Sequence, residues 1–179
     1  QMDDNSHPSN NSAGTYSVAM GNGTAASGYA ATAMGYNTTA SGNRSTAMGN
    51  GTAASGYAAT AMGAGTTASG SYAVAMGGSS TAIGNYSTAM GGSTTASGSR
   101  STAMGAGTTA SADYSTAMGE ETTASGAIAT AMGYNTIASD FASVVIGQFN
   151  SSGSSATSAN SFSTSAPAFV IGNGTFGSL

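Results

Sequence analysis

The chain has 179 residues, a length that suits one ordinary domain or one elongated array of repeats. Only 4% of the residues are charged and the net charge is −4, so there is no basic patch for a phosphate backbone and we expect no nucleic-acid partner. No apolar run reaches the roughly 18 residues that a membrane span needs. The absence of cysteine excludes disulfides, thiolate metal ligands and a thiol nucleophile.

Residues 1–14 show no strand-like alternation, and we predict that they form a flexible lead-in. The only histidine, His7, lies here with Asp3 and Asp4, and nothing holds these groups in place for acid–base catalysis. The many serines of the chain lack a positioned base, and no GxxxxGK phosphate loop occurs. We therefore predict that the protein is not an enzyme and uses no cofactor.

Residues 15–149 repeat with a strict period of 14 residues. One large apolar residue, each time followed by Gly, marks every repeat: Met20, Met34, Met48, Met62, Met76, Met90, Met104, Met118, Met132 and Ile146. Seven residues after Ala-Met-Gly comes Ala-Ser-Gly, as in Ala26-Ser27-Gly28. Each repeat is therefore two similar halves that read Ser/Thr-x-Ala-x-Gly, which suggests a five-residue strand and a tight bend in each half.

A Gly every seventh residue argues against a coiled coil, because each Gly in a helix costs about 1 kcal/mol relative to Ala. Collagen would need Gly at every third residue. The remaining fold class is all-β, a parallel β-roll (β-solenoid) of about ten 14-residue turns with two short strands per turn. At about 4.8 Å per turn, the rod would be roughly 48 Å long.

Strand alternation places the central Ala of both halves inside the roll. Val145 is the only departure from Ala at this position. Two sheets can approach closely only if small residues lie between them, so we predict a very thin roll. The predicted interior residues include Ala19, Ala33, Ala47 and Ala61 in the first half and Ala26, Ala40, Ala54 and Ala68 in the second.

The same alternation places the ten Met and Ile residues on one outer face. A stripe of roughly 48 Å by 10 Å covers about 480 Å², at the upper end of what a soluble monomer exposes. We therefore predict that this stripe is an interface between copies of the chain. Three copies are expected, although the spacing alone does not distinguish three from two.

The corners carry the few charged and aromatic residues. Asp113, Glu120, Glu121 and Asp140 are interpreted as solvated acids on the periphery rather than a metal site. One corner position holds Tyr16, Tyr72, Tyr86 and Tyr114 together with Arg44 and Arg100. These residues either stack along the rod or form a contact surface for a sugar or protein ligand.

Residues 150–179 leave the period, first as a Ser-rich linker and then as an apolar segment. One interpretation is a cap over the open edge of the last turn. The other is a docking strand that joins rods head to tail. The residues that would form either one are Phe169, Val170, Ile171 and Phe176.

The sequence Tyr-Ser-Thr-Ala-Met-Gly at 86–91 and 114–119, with Ser-Val-Val-Ile-Gly at 143–147, resembles the head repeat of YadA-like trimeric autotransporter adhesins. The resemblance covers residues 15–149 and implies a left-handed roll, a homotrimer and an extracellular or cell-surface location. The segment 168–175 looks like the part that follows such repeats in bacterial and phage-like surface fibres. The very low charge departs from adhesin heads, so their collagen binding is not carried over.

The sequence thus favours an extracellular structural or adhesive fibre module, a rigid rod that binds an unknown surface ligand. A self-assembling filament subunit is the first alternative, with polymerisation as the distinguishing property. An ice-binding β-solenoid is the second, because repeated Thr-Ala-Ser segments such as 67–69 and 95–97 would present outward hydroxyl rows. A thermal-hysteresis assay tests that alternative.

Overall fold

The computed structural model describes residues 11–150, 160 and 169–173, and every regular element within them is a β-strand. Long and short strands alternate along the repeats. The long strands are β2 Val18–Met20, β4 Thr32–Tyr36, β6 Thr46–Asn50, β8 Thr60–Ala64, β10 Val74–Gly78, β12 Thr88–Gly92, β14 Thr102–Ala106, β16 Thr116–Glu120, β18 Thr130–Tyr134, β20 Val144–Gln148 and β21 Phe169–Asn173. The short strands are β1 Asn11–Ser12, β3 Ala25–Ala26, β5 Thr39–Ala40, β7 Ala53–Ala54, β9 Thr67–Ala68, β11 Thr81–Ala82, β13 Thr95–Ala96, β15 Thr109–Ala110, β17 Thr123–Ala124 and β19 Ile137–Ala138.

The long strands form one parallel sheet and the short strands form a second, each ordered along the chain. Pairing joins equivalent residues of successive repeats, so that Met76 lies between Met62 and Met90. The strands from β2 to β20 enclose about nine turns of 14 residues, close to the ten expected. The prediction of an all-β parallel solenoid with two short strands per turn is confirmed.

Alanine and small hydroxyl residues fill the space between the two sheets. Ala47 of a long strand and Ala54 of a short strand are both fully buried, and Ser45 and Thr52 lie beside them with almost no exposure. Since side chains alternate along a strand, the residues between these positions point outward. Val145 in the last turn is the largest apolar side chain of the interior.

The two halves of a turn differ in length, although the sequence suggested a five-residue strand in each. The long half forms strands of five residues, or three in β2, whereas the short half forms strands of two. The five-residue strands run through the Gly of their half and one residue beyond it, as in β8. At Gly63, φ is +121°, and a Cβ would lie 2.0 Å from the carbonyl oxygen of Gly77 in the next turn. Only glycine satisfies both conditions, which is why it follows every Met.

The two sheets end differently near the last complete turn. In the short-strand sheet, the Asn150 side chain takes the place of a further strand: the Ile137 backbone N–H donates to Asn150 Oδ1 at 2.7 Å, and Asn150 Nδ2 donates to the Ile137 carbonyl at 2.9 Å. The long-strand sheet instead continues into β21, in which Ile171 pairs with Ile146. At the other end, β1 lies within the predicted lead-in and pairs with β3.

Candidate interaction surfaces

The Met side chains form one continuous stripe, the Met stripe, on the outer face of the long-strand sheet. Met20 and Met34 are exposed, and the equivalent residues from Met48 to Met132 and Ile146 are half-buried. The inner face of the same strands is already filled by buried alanines. The stripe can therefore be covered only from its outer side.

A strip of bare backbone runs beside the Met stripe. The Gly after each Met is exposed, as at Gly49 and Gly63, and has no side chain. On the other flank lie half-buried residues such as Thr60 and Val74. A neighbouring chain could thus approach the backbone closely on one side of each Met.

The alanines predicted to lie inside the roll are placed there with one exception. Fully buried are Ala26, Ala33, Ala40, Ala47, Ala54, Ala61 and Ala68. Ala19, in the first long strand, is only partly buried against them. This strand pairs with β4 alone among the described long strands, so its interior face is less covered.

The outer face of the short-strand sheet is polar. Thr67, Thr81 and Thr95 pair in register and are half-buried, and Ser residues occupy the position two residues later in most turns. Ile83 interrupts this Ser row and is 51% exposed. The face therefore presents rows of hydroxyl groups with isolated apolar side chains.

The two corners of a turn both contain a residue in the left-handed region, but they fill it differently. We name the corner between a long strand and the next short strand the Gly corner, as at 64–65, and the opposite one the Tyr corner, as at 57–58. The left-handed residues of the Gly corner are Gly23, Asn37, Gly51, Gly65, Ser79, Ser93, Gly107, Glu121, Asn135 and Phe149. Those of the Tyr corner are Tyr16, Ala30, Arg44, Ala58, Tyr72, Tyr86, Arg100, Tyr114, Ile128 and Ala142.

The left-handed position of the Tyr corner never holds glycine, although this conformation costs a residue with a Cβ roughly 1–2 kcal/mol. Glycine is abundant elsewhere in the chain, with 28 residues. A residue with a Cβ adopts this left-handed conformation at ten successive turns, and at six of them the residue is Tyr or Arg. The backbone conformation therefore does not explain why Tyr and Arg occupy this corner.

Tyr and Arg side chains from six successive turns touch one another along this corner, and we name them the Tyr/Arg ladder: Arg44, Tyr57, Tyr72, Tyr86, Arg100 and Tyr114. The rings of Tyr57 and Tyr72 meet edge to face at 5.3 Å, and those of Tyr72 and Tyr86 stack in parallel at 5.0 Å. Sequence reasoning missed Tyr57 because it occupies the first corner position rather than the second. Tyr29, which contacts Tyr16 at 5.6 Å, was missed for the same reason.

Both arginines are held by this ladder. The Arg44 guanidinium lies 5.6 Å from the ring centroid of Tyr57 and donates a hydrogen bond to its hydroxyl. The Arg100 guanidinium lies 5.3 Å from the ring centroids of both Tyr86 and Tyr114, and Nη1 donates to the Tyr114 hydroxyl at 2.9 Å. The two cations of the chain thus sit on the same exposed corner.

The acidic side chains are dispersed. Asp113 is exposed and accepts a hydrogen bond from the Ser99 backbone N–H at 2.8 Å, and Glu120 and Glu121 are exposed at a Gly corner. Asp140 is 3% exposed, so its interpretation as a solvated acid is wrong. In residues 11–150, 160 and 169–173, no three His, Cys, Asp or Glu side chains group closely enough to hold a metal ion. His7 and Phe176 lie outside the described residues.

The exposed residues of β21 continue the two outer rows of the long-strand sheet. Phe169 and Ile171 are 59% and 66% exposed, and they pair with Val144 and Ile146. The described part of the chain contains no helix that is long and apolar enough to cross a membrane.

Comparison with known proteins agrees with this geometry. The family model described as YadA head domain repeat (2 copies) matches residues 26–52, 54–80, 82–108 and 110–136. Successive matches begin at equivalent alanines of every second turn, and together they cover more than half of the chain. No curated protein matches it. The period, the buried alanines and the family match together show that this chain belongs to the YadA head domain repeat family.

Proposed function

We propose that the protein is an extracellular adhesive fibre module in which three parallel rolls pack around an axis through their Met stripes. The observation that supports this most directly is the position of the stripe. Its methionines pair in register along the long-strand sheet, opposite an interior that alanine already fills. Each ring of the trimer would bury three equivalent Met side chains.

Energetics favour such an assembly. The interior of one roll consists of Ala, Ser and Thr, which bury little apolar area per residue. Covering a half-buried Met adds apolar burial at about 25 cal/mol per Å². The exposed Gly beside each Met permits close approach of the neighbouring backbone. Membership of a family of surface adhesins supports the extracellular location and the number three.

Light scattering on the purified chain, followed by electron microscopy of the same sample, tests this function. We expect particles of three chains, each of 16.9 kDa, with rods about 50 Å long. A monodisperse monomer would refute the Met interface. The Thr and Ser rows on the outer face of the short-strand sheet would then be the main candidate for a binding surface. A thermal-hysteresis assay would test the ice-binding alternative.

One observation favours the filament alternative. β21 extends the long-strand sheet beyond β20, and its outward edge meets no strand of the described residues. A parallel sheet edge can accept a strand from another molecule. Long fibres in the micrographs that disappear on replacing Phe169 and Ile171 with Asp would establish end-to-end joining. Fibres that persist in this variant would place the joint elsewhere.

A further inference from the structure

We propose that the Tyr/Arg ladder is a binding site for an acidic polysaccharide, whose carboxylate or sulfate groups pair with Arg44 and Arg100. This names a ligand class for the adhesive role proposed above and rests on that role. It does not depend on the Met stripe, because the ladder lies at a corner of the turn rather than on the outer face of the long-strand sheet.

The first argument is that both guanidinium groups are exposed and fixed in place. Each contacts tyrosine rings and donates one hydrogen bond to a tyrosine hydroxyl, which leaves other N–H groups of the fork available. Among the described residues, neither Arg44 nor Arg100 has a carboxylate within ion-pair distance. A guanidinium already ordered in this way loses less side-chain freedom when it binds an anion.

The second argument is the charge distribution. The chain carries −4 overall, and its only two basic residues lie on this ladder. Glu120 and Glu121 occupy the opposite corner, whereas Asp113 is exposed at the Tyr corner and accepts the Ser99 backbone N–H. The exposed charged residues of the Tyr corner are Arg44, Arg100 and Asp113, so its net charge is positive while that of the Gly corner is negative. An anionic ligand is therefore favoured at the ladder. Two arginines are too few to hold the dense phosphates of a nucleic acid.

The third argument is the repeat distance along the ladder. Successive turns of a parallel roll are about 4.8 Å apart, and the ladder extends over six of them. An extended peptide advances about 3.3 Å per residue, so its same-face side chains repeat at about 6.6 Å and fall out of step. The pyranose rings of an extended polysaccharide advance by roughly one turn spacing each. Tyrosine hydroxyls between the arginines can exchange hydrogen bonds with sugar hydroxyls.

The ring geometry defines how such a ligand would lie. Tyr72 and Tyr86 stack face to face with an interplanar angle of 5°, so their mutual faces are occupied. The polysaccharide would therefore contact ring edges and hydroxyl groups along the corner. Specificity would come from the spacing of the two guanidinium groups, which are four turns apart, or about 19 Å.

Calorimetric titration of the purified protein with alginate and with dextran sulfate, using neutral dextran as the reference, tests the proposal. Alginate supplies carboxylates and dextran sulfate supplies sulfates, so the two probes distinguish the acidic group. We expect binding to at least one of them at low ionic strength, weakening as salt is raised, and none to neutral dextran.

The decisive variant is Arg44→Ala with Arg100→Ala. Alanine occupies the same left-handed position at Ala30, Ala58 and Ala142, so the corner should keep its conformation. We expect at least a tenfold loss of affinity, with native mass and thermal unfolding unchanged. The matched control is Glu120→Gln with Glu121→Gln, which alters charge at the other corner and should leave affinity within about twofold.

Several outcomes would overturn the proposal. These are no binding of either acidic polysaccharide, unchanged affinity in the arginine variant, equal binding of neutral dextran, or equal binding of poly-glutamate, which would indicate an acidic peptide partner. Native mass measured on the same samples tests the trimeric rod separately. A trimer that binds no polysaccharide would refute the proposed ligand but not the trimeric rod. A monomer that binds through Arg44 and Arg100 would refute the trimeric rod but not the proposed ligand.

Discussion

The two halves of each turn share the pattern Ser/Thr-x-Ala-x-Gly but use it differently. The long half gives a five-residue strand with Met pointing outward and a Gly whose φ lies between 107° and 127°. The short half gives a two-residue strand with Ser pointing outward in most turns. Since both halves bury the same Ala, this interior residue determines how closely the two sheets pack. The outward residue, Met in one half and Ser in the other, determines what each face can bind.

The long half is also the more constrained of the two. Its Gly position is never occupied by another residue in the ten repeats. The equivalent position of the short half holds Ala112 and Asp140 in two turns, since its glycines do not adopt positive φ. The requirement for positive φ thus falls on the half that carries the Met stripe, although a Cβ would meet the next turn closely in both halves. A flat and regular outer face there is what stacked rings of Met would need.

Lysine substitutions on the two outer faces should differ most in their effects, because only those on the Met face should change the native mass. In Met76→Lys with Met90→Lys, each buried ammonium in the proposed interface would cost several kcal/mol. We expect the native mass to fall to that of one chain of 16.9 kDa. Ser69→Lys with Ser97→Lys, on the short-strand face, is the matched control and should keep the mass of the parent. Dissociation by both pairs, or by neither, would remove the distinction between the faces.

Neighbouring glycines test the backbone constraint on the long half. Gly77 has φ of +107°, and a Cβ there would lie 2.1 Å from the Gly91 carbonyl oxygen, whereas a Cβ at Gly78 meets nothing within 4 Å. Gly77→Ala should lower the free energy of unfolding by at least about 2 kcal/mol. Gly78→Ala should change it by less than about 0.5 kcal/mol, because Ala64 and Ala106 occupy the same position in other turns. Urea titration of both variants measures the difference, and equal effects would contradict it.

Much of this architecture follows from the period alone. A 14-residue repeat with Ala-Met-Gly and Ala-Ser-Gly fixes the register of every strand, because equivalent residues must stack. Alternation then predicts that Ala47 and Ala54 are buried and that Met48 lies outside, as observed. Strong periodicity and a single small interior residue leave few other packings.

The differences between the halves could not be predicted from that pattern. Both halves have the same pattern of Ala and Gly, so nothing in it indicates that one strand has two residues and the other five. The left-handed conformation of Tyr and Arg at the Tyr corner runs against residue preference. The return to the sheet at β21 and the amide contacts of Asn150 depend on residues that lie outside the period.

The end of the short-strand sheet gives a further test. Asn150 is 7% exposed, and its amide pairs with both the N–H and the carbonyl of Ile137. Asn150→Ala should leave these groups without partners and cost about 1–3 kcal/mol of unfolding free energy. Asn85→Ala, which removes an exposed hydrogen bond from the Ser71 N–H, should cost less than about 0.5 kcal/mol. Hydrogen exchange at the Ile137 amide should quicken in the first variant only; unchanged exchange would show that another group ends this sheet.

Substitutions in the buried hydroxyl row of the short half should change the free energy of unfolding least, and the change should differ in sign between Thr66 and Thr94. Thr66 Oγ1 is buried with no hydrogen-bond partner among the described residues, whereas Thr94 Oγ1 donates to Ser80 Oγ at 2.9 Å. Valine has nearly the shape of threonine without the hydroxyl. Thr66→Val removes an unsatisfied polar group and should raise the free energy of unfolding by up to about 1 kcal/mol. Thr94→Val breaks a buried hydrogen bond and should lower it by about 1 kcal/mol. Urea titration of the two variants measures both values. A decrease in both would mean that Thr66 also has a hydrogen-bond partner in solution, and an increase in both would mean that the Thr94–Ser80 hydrogen bond does not stabilise the fold.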